Sequence, residues 1–192
     1  MFIYGKNNPV KYGDSAGYDA VILINDKGGI PHTGVLIEDE NGDWYHFYWG
    51  AHTDVGLPSI VSGKYVKVSA RLDKCNFEAV SNHATTLNLI NSSGLYGYEY
   101  DDMVYLDGDF TESYDYYSKI VQEYNGKNQY CLYEQNCSQV SLYALSVSET
   151  LYSETLDELS QKIYPPSAFK VLKKFERKGS AFVPTMPIPI VQ

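Results

Sequence analysis

The stretch YEQNCSQVSLYAL, residues 133–145, decides how this chain reads. It sets Cys137 between Asn136 and an amphipathic run. Val140, Tyr143, Ala144 and Val147 recur at i, i+3, i+4 and i+7, which predicts one helix face and a helix that begins near Cys137. A sulfur at that point lies over unpaired backbone N–H groups and the positive end of the helix dipole, and both favour thiolate over thiol. Asn136 or Ser138 is placed to cap the same end, and the Cys137 N–H to face the oxyanion that acyl transfer develops. A cysteine is usually a small buried hydrophobe. Cys75 and Cys131, with no helix start beside them, fit that plainer reading.

A thiolate nucleophile needs a base, and the chain has four histidines. His32 follows GGIP and opens an apolar run, so its ring is expected at the mouth of a strand. His83 falls within a predicted helix and reads as a surface residue. Asn41-Gly42 suits a two-residue type I′ turn between two aromatic-rich arms. That register pairs His32 near Ala51 and sets His46 opposite Ile37, about 16 Å along the strand, too far to orient an imidazole. His52 falls beside the pairing position, with Asp54 just beyond. A third residue should hold the base in its productive tautomer. His52 is preferred for that role and Asp54 is held in reserve, while Tyr48 is a further candidate whose commoner reading is packing.

Around these residues the pattern is mixed. AVILIN (20–25) and KYVKVSARL (64–72) read as strands, and MVYLDGD (103–109) as a short one. Helical spacing is expected over 76–90, from Thr111 to Tyr124 with Asp109 or Thr111 as cap, from Glu154 to Ile163, and from Ser167 onward after Pro165-Pro166. The tail FVPTMPIPIVQ alternates proline with apolar residues and is expected to be extended and outside any sheet. Strands with interleaved helices in one chain of 192 residues predict a single α+β domain over residues 20–192 behind a turn-rich arm, 1–19.

A histidine opening a strand, followed much later by an Asn-Cys opening a helix, reverses the order found in papain. PHTGVLI, the hairpin after it and QNCSQV resemble the circularly permuted papain-like group, which includes NlpC-type hydrolases and the lecithin:retinol acyltransferase relatives. The resemblance implies an antiparallel sheet packed against helices, Cys137 as nucleophile and His32 as base. A second resemblance lies at the front. FIYGKNNPVKYGDSAG (2–17) is similar to the closing segment of Rhs/YD-repeat cores, with Ser15 where that pattern carries proline. In such polymorphic toxins a variable toxin domain follows this junction. The resemblance implies an antibacterial effector that is carried by an Rhs core or delivery machinery and held by a cognate immunity protein.

Composition bounds the alternatives. A net charge of −9 repels phosphate backbones and argues against a nucleic-acid partner, so a nuclease-type toxin is the less favoured Rhs tip. KVLKKFERK (170–178) gathers five of the fifteen basic residues, as a solvated helix face or as a docking patch for an acidic partner or membrane. Nineteen tyrosines give the apolar surface many hydroxyl handles. Three cysteines form neither a disulfide framework nor a zinc site, and no metal or cofactor is expected. No bilayer-length apolar run or signal peptide is visible, so cytoplasmic synthesis is expected, and the Rhs resemblance implies export and delivery into a target cell. The expected activity is a cysteine-dependent hydrolase or acyltransferase acting on an amide or ester. The competing expectation is a binding module that keeps the fold without turnover.

Overall fold

The apolar run 20–25 is β1, Ala20–Asn25, and all six of its residues are buried. It lies between β2, His32–Glu38, and β5, Asp102–Leu106, so both its faces and both its edges are covered. β3 (Trp44–Ala51), β4 (Val66–Lys74) and the short β6 (Asn128–Tyr130) extend the sheet on the far side of β2. The strand order is β5-β1-β2-β3-β4-β6 and every pairing is antiparallel. Among the described residues six helices complete the elements: α1 Leu57–Val61, α2 His83–Ser93, α3 Thr111–Tyr124, α4 Cys137–Ser146, α5 Ser153–Ser160 and α6 Pro165–Phe175. This computed structural model describes residues 18–27, 29–80, 82–97 and 99–175, and the chain is α+β, as the sequence pattern predicts. The N-terminal segment that resembles an Rhs junction and the proline-rich tail lie outside the described residues.

The sheet is covered on both sides. On one, Ile22, Val35, Phe47, Trp49 and Val68 pack with Tyr117 of α3, Leu142 and Leu145 of α4, and Leu156 of α5. On the other, Val21, Leu23, Leu36 and Trp44 pack with Ile90 of α2 and with Tyr100. Alternation along each strand divides these sets. No described helix is long and apolar enough to cross a membrane.

Three local expectations need correction. The hairpin between β2 and β3 does not use a two-residue Asn-Gly turn. Its ladder runs from Glu38–Trp44 to Val35–Phe47, and Asp39 and Asp43 close a three-residue loop with Gly42 at φ +80°. The Asp39 carboxylate causes this, because Oδ1 accepts the N–H groups of both Asn41 and Asp43. His46 therefore opposes Leu36 instead of Ile37. Next, α2 begins at His83, not near residue 76, because Asn82 accepts the Thr85 N–H and caps it there. Finally, α4 buries Cys137, Ser138, Ser141, Leu142, Ala144 and Leu145, and leaves the expected face residue Tyr143 exposed.

Candidate active site

The start of α4 is built by Asn136. Its Oδ1 accepts the N–H groups of Ser138 and Gln139, and Gln139 Oε1 accepts the Asn136 N–H in return, which closes a capping box. Asn136 Nδ2 donates to the carbonyls of Leu132 and Ile163, so the same side chain ties the incoming loop to the approach to α6. The Trp49 indole N–H donates to Gln135 O at 2.9 Å and holds that loop against β3. Asn136 is therefore the cap. The Ser138 hydroxyl is buried with no hydrogen-bond partner.

This anchoring drives Cys137 into a seam of the sheet. The β2–β3 ladder ends at Val35–Phe47. Glu38 N–H donates to Asp19 on the β1 side and Asp39 N–H to Asp43 on the β3 side, so alternation turns the Thr33 N–H toward β3 as well. Past the end of the ladder it meets Cys137 Sγ at 3.4 Å instead. The thiol also lies 3.9 Å from Pro31 O, in donating position. The sulfur thus rests on the two backbone groups that bracket His32. Burial pushes the thiol up to about 11, although the N–H groups of Thr33, Ser138 and Cys137 act in the opposite sense. The helix-start depression expected from sequence is present as those N–H groups, but burial outweighs it.

His32 is the first residue of β2 and its ring packs among tyrosines. It stacks on Tyr96 with ring centres 4.7 Å apart and lies tilted against Tyr48 at 4.9 Å. Its Nε2 is buried without a hydrogen-bond partner. Burial, with His46 and Arg71 adding to it, holds the imidazole down to about 3, so it is neutral at pH 7. His46 is likewise held down to about 3 by burial and then by Arg71, and its Nε2 hydrogen-bonds Tyr100 Oη at 2.9 Å. Two glycines make room for these rings. A Cβ on Gly34 would lie 2.1 Å from Tyr100 Oη, and one on Gly50 would lie 2.4 Å from Tyr48 Oη.

Of the residues singled out in the sequence, Cys137 meets His32 through the backbone of 31–33, without a thiol–imidazole hydrogen bond, and Asn136 adjoins them as the cap of α4. His52 and Asp54 stand apart. His52 lies one residue beyond β3, and its Nδ1 pairs with Asp54 Oδ1 at 2.7 Å on the surface. The groups that pack on His32 are Tyr48 and Tyr96, with Tyr100 next. Tyr96 and Tyr100 come from the loop after α2, and nothing in the local sequence announces that contact. A one-residue change of hairpin register was enough to return His46 to the site. Among the described residues no group of three or more His, Cys, Asp or Glu is placed to hold a metal ion. Compared with known proteins, the chain matches no family model, no curated protein and no solved structure.

Proposed function

We propose that the chain is a cysteine-dependent hydrolase or acyltransferase in which Cys137 attacks an amide or ester carbonyl and His32 moves the proton. One observation carries this reading: the sulfur at the capped start of α4 occupies the open end of the β2–β3 seam, on the backbone groups that flank His32. In the first step the thiol proton passes to the imidazole and sulfur bonds to the carbonyl carbon. The leaving group then takes that proton and departs, leaving a thioester. Water or another acceptor, deprotonated by the same imidazole, releases the acyl group and restores the thiol. The Thr33 N–H, which already donates to the sulfur, and the helix-start N–H groups of Cys137 and Ser138 support the negative charge of the thiolate. The strand-start histidine before the helix-start cysteine gives the order of the permuted papain-like group. With the Rhs-like segment at 2–17, it makes the chain the toxic tip of an antibacterial effector, restrained by a cognate immunity protein.

A second reading has its own support. Cys137 is 2% exposed, and both thiol and imidazole are neutral at pH 7 as they stand, which suits a binding module that keeps the fold without turnover. Expression of the domain in the cytoplasm and, separately, in the periplasm of a bacterium lacking an immunity protein decides between them. Growth arrest in one compartment, abolished by Cys137→Ala and by His32→Ala in variants that melt like the parent, is the expected result. Undiminished arrest by a folded Cys137→Ala protein would assign the harm to binding.

A further inference from the structure

We infer that Arg71 is the specificity residue of this site and that it selects a ligand bearing a carboxylate. The inference builds on the proposed site and names what that site accepts. Arg71 lies on β4 directly opposite Tyr48, the residue whose ring touches His32. Its guanidinium sits over the Tyr48 ring at 4.8 Å, and the charge is felt by His32, His46 and Tyr100. The side chain is 43% exposed, so a ligand can reach it.

The fork is held in place but is far from saturated. A guanidinium carries five N–H donors and no acceptor. Its polar partners among the described residues are Leu95 O at 3.4 Å, from the loop that carries Tyr96, and Asp73 Oδ2 at a long 3.8 Å. The guanidinium therefore offers unused donors and a fixed positive charge, in a chain whose net charge is −9. A ligand group that only accepts, is planar and is negatively charged meets each of these conditions, and a carboxylate taken by the flat fork is that group. Its place over the Tyr48 ring restrains the side chain beforehand, so less side-chain freedom is lost on binding. A carboxylate would replace the weak bond to Leu95 O and so bear on the loop whose Tyr96 covers His32.

The test is a titration of the folded domain followed by the NMR signals of His32 and Tyr48. Three probes separate the sources of the charge: N-acetylglycine offers an α-carboxylate, the α-amide of N-acetylglutamate offers a side-chain carboxylate, and N-acetylglycinamide is neutral. At least one acid should bind tenfold or more tightly than the neutral amide. Arg71→Gln should erase that preference, and Arg71→Lys, which keeps the charge but not the fork, should retain part of it. Equal binding of acids and amide, or an unchanged preference in Arg71→Gln, overturns the inference. If Arg71→Gln instead lowers the melting temperature and leaves the preference intact, Arg71 is only a latch on the 95–97 loop, which also overturns it. Cys137→Ala should bind the acids as the parent does. A carboxylate preference in a protein with no Cys137-dependent toxicity would uphold the anion site and remove the hydrolase reading.

Discussion

Gly34 shows how narrowly the site is cut at the scale of a residue. The hydroxyl that its missing Cβ admits belongs to Tyr100, which is buried, stacked on Tyr96 at 4.5 Å and hydrogen-bonded to His46. That hydroxyl cannot swing aside without breaking the bond and exposing His46 Nε2 as a further unpaired nitrogen. Gly34→Ala should therefore cost roughly 1–3 kcal/mol and lower the melting temperature by several degrees, and an unchanged melt would mean that Tyr100 moves freely. Gly50→Ala presses on Tyr48, which is only partly buried, so it should cost less stability while displacing that ring from His32. Cys137 gives the second expectation at this scale. With its thiol pushed up to about 11, iodoacetamide labelling in the folded protein should climb about tenfold per pH unit from 7 to 9.5. A rate already flat at pH 7 would show that the thiolate is formed and that the N–H groups outweigh burial.

At the scale of elements, α4 depends on one side chain for two jobs. Asn136 caps the helix through Oδ1 and satisfies the carbonyls of Leu132 and Ile163 through Nδ2. Asn136→Ala should cost about 1–3 kcal/mol by thermal or urea unfolding. Asn136→Asp is the sharper test. Aspartate caps as well as asparagine in isolated helices, but here it would set acceptor oxygens against two carbonyls, so it should destabilise nearly as much as alanine. A near-neutral Asp variant would mean that the Nδ2 bonds contribute little. The same helix shows what the sequence discloses. Its start was legible because Asn-Cys before an amphipathic run is a local signal. Its buried face was not, because Ser138 and Ser141 are buried with it while Tyr143 is exposed, and periodicity counts serine as polar. β1 and α3 were legible to their ends from an unbroken apolar run and a regular stripe. The β2–β3 register was not, since it turns on the Asp39 side chain. The tyrosines over His32 were hidden for another reason: they arrive from residues 96 and 100, sixty or more positions away in the chain.

At the scale of the whole molecule, the two buried imidazoles set a pH dependence. His32 and His46 are held down to about 3 in the folded protein, against an ordinary 6.5. Below pH 6.5 the unfolded chain takes up protons that the folded chain refuses until near pH 3. The stability of the fold is therefore full above 6.5 and is lost as pH falls across that window, by up to about 1.4 kcal/mol per pH unit for each histidine. Between pH 7 and 5 the pair should cost up to about 4 kcal/mol. The carboxylates act elsewhere. At Asp39 and Asp101 burial, which raises the pKa, is outweighed by backbone N–H bonds, so their stabilisation is lost only below the ordinary carboxylate range. Glu38 is held up by burial, and its sign is opposite: it offsets part of the loss as the solution becomes acid. Urea unfolding at pH 7, 6 and 5 should thus show a falling midpoint with little change in slope. His46→Gln, which keeps a hydrogen-bonding group toward Tyr100 but cannot take up a proton, should remove about half of the dependence. A stability that is flat from pH 7 to 5, or an equal loss in His46→Gln, would mean that water reaches these rings and that the tyrosine cover over the site is open in solution.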